Sequence, residues 1–68
     1  MKDLAPQQER VCNLLLQDKN IKEISEEMGI SESTVKLHIL LAKRKYEVKT
    51  LAGLAVAHYK NSRRNKRV

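Results

Sequence analysis

Residues 20–38 read Asn20-Ile21-Lys22-Glu23-Ile24-Ser25-Glu26-Glu27-Met28-Gly29-Ile30-Ser31-Glu32-Ser33-Thr34-Val35-Lys36-Leu37-His38, two helical runs parted by a glycine. Asn20 suits an N-cap, because its side-chain oxygen takes an N–H left unpaired at a helix start. Glu23 falls three residues on, where a capping-box partner belongs. Ile21, Ile24 and Met28 then form a single apolar stripe. Gly29 supplies the left-handed residue that ends this helix, with Ile30 placed to pack back against it. Ser31 caps the next helix at once. Glu32 in its first turn, and Lys43, Arg44 and Lys45 at its far end, complement the helix dipole. Val35, Ile39, Ala42 and Tyr46 recur at helical spacing and are expected to face a core.

The flanking segments are helical too. Pro6 suits the first position of a helix, where its missing N–H costs nothing, and Val11, Leu14 and Leu15 follow as an apolar stripe widened by Cys12 and Leu16. Gln17-Asp18-Lys19 reads as a short polar connection. Thr50 can cap a fourth helix running to about Lys60, apolar on two sides: Leu51, Leu54 and Ala55 on one, Ala52, Val56 and Tyr59 on the other. One side suffices to dock it, so the surplus points to a second copy of the chain. Leu51, Ala52, Ala55, Val56 and Tyr59 are the expected dimer contacts. Gly53 within this helix fits either a frayed start or close approach of a partner helix beside Ala52 and Ala57. After residue 60 the composition is too polar to fold, and residues 61–68 are expected to form a basic flexible tail. The expected architecture is all-α, a four-helix domain over residues 4–60.

Composition narrows the function. The chain has 68 residues, one Cys, two His and no Trp or Phe, too little for a second lobe enclosing a substrate cleft. Cys12, among Val11 and Leu14, reads as a buried small hydrophobe and not as a nucleophile. The absence of CxxC or HxxxH spacing argues against a metal, and no cofactor is expected. No apolar run approaches the roughly 18 residues of a membrane span, and the start lacks a signal-like block, so a cytoplasmic protein without enzymatic chemistry is expected. Charge is uneven: residues 1–32 carry −3 and residues 33–68 carry +9. A polyanion is the expected partner of the basic half.

A short helix, a glycine turn and a second helix with a basic outer face make the layout of a helix-turn-helix. The major groove of B-DNA, about 12 Å wide, admits one α-helix, and the preceding helix braces it across the backbone. Ser33, Lys36, Leu37, Leu40 and Arg44 align along the outer face of the helix that begins after Ser31. Lys36 can donate to a guanine edge and Leu37 can pack on a thymine methyl. Lys43, Arg44 and the tail suit phosphates, which dominate affinity and carry little sequence information.

The block from Lys22 to His38 resembles the core of the LuxR-type (GerE-like) DNA-binding domain, whose pattern runs close to K-E-I-A-x-x-L-G-I-S-x-x-T-V-K-x-H. The resemblance extends without gaps over residues 4–60, beginning at Leu4-Ala5-Pro6, similar to an L-T-P start. It implies a domain that binds double-stranded DNA as a homodimer, usually through its last helix, to regulate transcription. By position it implies base reading by Lys36, Leu37 and Leu40, with Lys22, Ser33, Thr34 and His38 near phosphates or the groove edge. The chain departs from the pattern in places. Ala5 replaces a Thr cap, Gln8 and Arg10 replace two acids, and Asp18 and Glu47 replace common glycines. Leu40 and Leu41 stand where polar residues are usual. With Leu37 they imply either a site rich in thymine methyls or a face that also meets protein.

Two other readings compete with a stand-alone regulator. Glu23 to Lys45, ending in Leu41-Ala42-Lys43-Arg44-Lys45, also resembles region 4 of sigma factors, which would touch promoter DNA and RNA polymerase without dimerising. A protein-interaction adaptor or inhibitor would instead dock another regulator through Leu37, Leu40 and Leu41.

Overall fold

The computed structural model describes residues 4–66, with side chains through residue 61. These residues form four helices: α1 (Pro6–Leu16), α2 (Ile21–Met28), α3 (Glu32–Tyr46) and α4 (Leu51–Lys66). Helix α3 is central, packing against α1, α2 and α4, and α1 also meets α2 and α4.

Each boundary has a local cause. Pro6 is the first residue of α1, and Ala5, which has no capping side chain, donates its N–H to Gln8 Oε1 at 3.2 Å. That is half of a capping box, supplied by a residue that departs from the family pattern. At α2 the box is complete: Asn20 N–H donates to Glu23 Oε1 at 2.9 Å and Glu23 N–H to Asn20 Oδ1 at 2.8 Å. Gly29 lies at φ 69°, and the Gly29 and Ile30 N–H groups both reach the Ser25 carbonyl. This wraps the chain back on itself and turns it into α3. The Thr34 N–H donates to Ser31 Oγ at 3.1 Å, and Gly53 N–H to Thr50 Oγ1 at 2.9 Å, so both expected serine and threonine caps form.

The core is Val11, Cys12, Leu14, Ile24, Val35, Ile39, Ala42 and Leu54, with Ile21, Met28, Ile30, Tyr46 and Val48 among the partly buried residues packed around it. Burial and the nearby Glu9 carboxylate push the Cys12 thiol up to about 11, so it stays protonated as a packing group. Leu16, expected to widen the α1 stripe, is exposed.

Helix α4 differs from expectation in three respects. Its inward stripe is Leu54 and His58, both essentially inaccessible, whereas Leu51, expected beside Leu54, is 47% exposed. A Cβ on Gly53 would lie 3.2 Å from Thr50 Oγ1 and 3.3 Å from Val48 Cβ, so contacts within the chain explain this glycine without a partner helix. The α4 backbone also runs to Lys66, past the expected end of the fourth helix near Lys60. No Gly or Pro interrupts residues 61–66, and extending an existing helix requires no new nucleus. The basic side chains of Arg63, Arg64, Lys66 and Arg67 lie outside the described residues.

Candidate nucleic-acid interface

Helix α3 has two opposed faces. Val35, Ile39 and Ala42 are buried, and this anchors the helix by one side along most of its length. Ser33, Lys36, Leu37, Leu40 and Arg44 are exposed on the other. At 1.5 Å per residue the exposed row spans about 16 Å. Lys22 is exposed on α2, the bracing helix, and Lys43 is half-buried along one margin of the α3 row. The structure thus gathers Lys22, Ser33, Lys36, Leu37, Leu40, Lys43 and Arg44 on accessible surface of the α2–α3 unit.

Two expected members stand differently. The Thr34 hydroxyl lies 2.9 Å from Ser31 Oγ and helps bind the helix start together. Both ring nitrogens of His38 are enclosed, with no hydrogen-bond partner among the described residues. Leaving such groups unpaired costs about 1–3 kcal/mol. The expected cap and apolar registers alone gave no sign of this enclosure.

Beside the exposed row lies an open depression of about 230 Å³, lined by Ile21, Lys36, Ile39, Leu40, Lys43 and Leu51. Its apolar floor continues the exposed leucines: Leu37 is 50% and Leu40 43% accessible. All five residues expected at a dimer contact lie off the buried stripe of α4. Leu51, Ala52, Val56 and Tyr59 are exposed and Ala55 is half-buried.

The buried network behind this face was not anticipated. His58 Nδ1 lies 2.9 Å from the Tyr46 hydroxyl, and Asn61 Nδ2 donates to that hydroxyl at 3.5 Å. Burial lowers the His58 pKa from 6.5, against a smaller opposing pull from the Glu9 carboxylate. The ring is therefore neutral at pH 7, with Nδ1 accepting the Tyr46 proton. The available signal was positional: His58 follows Leu54 by four residues and shares its inward face.

Among the described residues, no helix is long and apolar enough to cross a membrane. The family model for "Bacterial regulatory proteins, luxR family" matches residues 2–58. The chain is also 51% identical over 46 residues to the spore germination protein GerE of Bacillus subtilis (strain 168), an alignment covering 68% of this chain. The same alignment spans 62% of that relative's length.

Proposed function

The chain belongs to the luxR family of bacterial regulatory proteins, and we propose that it binds a two-fold symmetric site on double-stranded DNA as a homodimer. The observation that carries this reading is the exposed row from Ser33 to Arg44, held outward by the buried stripe on the opposite side of α3. In this reading α3 enters the major groove. Lys36 donates to a guanine edge, and Leu37 and Leu40 pack on thymine methyls. Lys22, Ser33, Thr34, Lys43 and Arg44 hold phosphates or the groove edge and fix the register. His38 reaches a phosphate only by turning outward, which would relieve its unpaired nitrogens.

Two copies join through Leu51, Ala52, Ala55, Val56 and Tyr59 of α4. Leu51, Ala52 and Val56 remain exposed after Leu54 and His58 dock the helix, which supports a second apolar contact. The protein acts on transcription where it lies on the DNA, in the cytoplasm, and its chemistry is binding alone.

Selection of bound duplexes from a random pool tests the reading. The expected result is an inverted-repeat consensus whose half-sites are about one helical turn, or a multiple of it, apart. A single half-site without symmetry, with a chain that sediments as a monomer, would favour a sigma-like contact with RNA polymerase. Failure to enrich any sequence would overturn it.

A further inference from the structure

The depression beside α3 has a composition that DNA alone does not explain. Its walls come from three helices: Ile21 opens α2, Leu51 opens α4, and Lys36, Ile39, Leu40 and Lys43 belong to α3. A duplex offers phosphates to the lysines, but on its base edges in the major groove the only aliphatic groups are thymine methyls. Leu51 lies on a different helix from the reading row, is 47% exposed in the single chain, and is shared between this depression and the proposed dimer contact. At about 230 Å³ the depression is smaller than most small-molecule pockets, which run to roughly 300–1,000 Å³. It is large enough to receive an aliphatic side chain or two. Two lysines among four aliphatic lining residues complement a ligand that carries carboxylates and branched apolar side chains on one face.

We propose that this depression is the docking site of an acidic amphipathic helix from a separate protein, and that its occupation excludes DNA. The apolar anchors of the partner would enter between Ile21, Leu40 and Leu51, and its carboxylates would pair with Lys36 and Lys43. Helix-in-groove recognition of this kind reads anchors at i, i+3 or i+4, and i+7. Exclusion follows because Lys36, Leu40 and Lys43 serve both ligands, and this second half of the proposal rests on the DNA reading given above. The result is a regulator that a protein partner can switch off without altering the fold.

The test uses the whole isotope-labelled chain and three synthetic 16-residue helical peptides. The first carries leucines at i, i+3, i+4 and i+7 with glutamates elsewhere, the second has the same composition with the leucine stripe scrambled, and the third replaces glutamate by lysine. The first should bind, shift the backbone amides of Ile21, Lys36, Leu40, Lys43 and Leu51, and release a labelled duplex as it saturates. The scrambled and lysine peptides should bind at least tenfold more weakly, and Leu40→Ala, a change at an exposed position, should weaken the first peptide by about as much. Absent binding, equal binding of all three peptides, or shifts confined to another face would overturn the docking site. Binding at the site with the duplex still held would overturn the exclusion. Duplex binding is measured separately without peptide, so a chain that ignores DNA but seats the first peptide rejects the DNA reading and leaves the docking site standing.

Discussion

His58 Nε2 lies 2.6 Å from Asn13 Oδ1, joining α4 to α1 across 45 residues of chain. An amide oxygen only accepts, so Nε2 carries the proton and Nδ1 is left to receive the Tyr46 hydroxyl. One imidazole therefore ties three helices together. Its burial lowers its pKa from 6.5, so the folded chain binds fewer protons than the unfolded chain wherever the unfolded imidazole titrates. His58's contribution to stability is complete above about pH 6.5 and is lost as pH falls through that value toward the folded pKa. Urea unfolding at pH 7.5, 6 and 5 should show a midpoint falling with acidity. His58→Ala should cost about 2–4 kcal/mol at pH 7.5, through lost packing and the loss of its hydrogen bonds to Asn13 and Tyr46, and should flatten this part of the pH dependence.

In the proposed reading, the exposed row on α3 divides into groups that read bases and groups that hold phosphates. Lys36→Ala should cost about 1–3 kcal/mol of binding to the selected site and relax preference at one base position. Arg44→Ala should weaken selected and random duplexes alike, and lower the slope of log K against log salt by about 0.9. Fluorescence titrations across a salt series separate the two. Identical behaviour of the two variants would mean that the assignment of roles along α3 is wrong.

Asp18 and Glu47 adopt positive φ, 67° and 60°, at the two places where the family pattern commonly has glycine. A residue with a Cβ is strained there by roughly 1–2 kcal/mol, less for Asp, whose short side chain tolerates the conformation. Glu47→Gly should raise stability by about 0.5–1 kcal/mol, and Asp18→Gly by less. Gly29→Ala is the mirror experiment. An added Cβ would meet nothing within 4 Å, so its destabilisation, about 1 kcal/mol, comes from the backbone at φ +69° alone. Thermal melts of the three variants give the ordering directly.

Val56 is 53% exposed and stands clear of the core cluster. Val56→Glu should leave the helical signal and melting profile nearly unchanged and shift sedimentation toward the monomer. Its affinity for a two-half-site duplex should fall at least tenfold while affinity for a single half-site stays close to that of the parent. Dimers persisting at micromolar concentration would place the contact elsewhere than on α4.

Most of the architecture was legible because its signals are local. The Asn20–Glu23 box, the Gly29 turn, and the Ser31 and Thr50 caps each depend on residues three or four apart, and each forms as the spacing implies. The α3 core stripe was likewise readable from its period, and the family membership from the block between Lys22 and His38. What escaped depends on long-range packing. Nothing near His58 in sequence names Asn13, and the choice of inward face on α4 turned on that polar latch rather than on the aliphatic Leu51. The enclosure of both His38 ring nitrogens likewise escaped a reading based on helical spacing.

Helix α4 carries an inward plug, Leu54 and His58, and within one turn of it an outward apolar patch. In the proposed dimer, the assembly arm is therefore not detachable from the body it serves. Cutting the chain after Thr50 would remove the patch and, in the same stroke, the packing of α4 on α1 and α3. In that reading a one-copy form is reachable only by repainting single outward positions, and shuffling this helix between relatives would have to transplant its Asn13 socket as well.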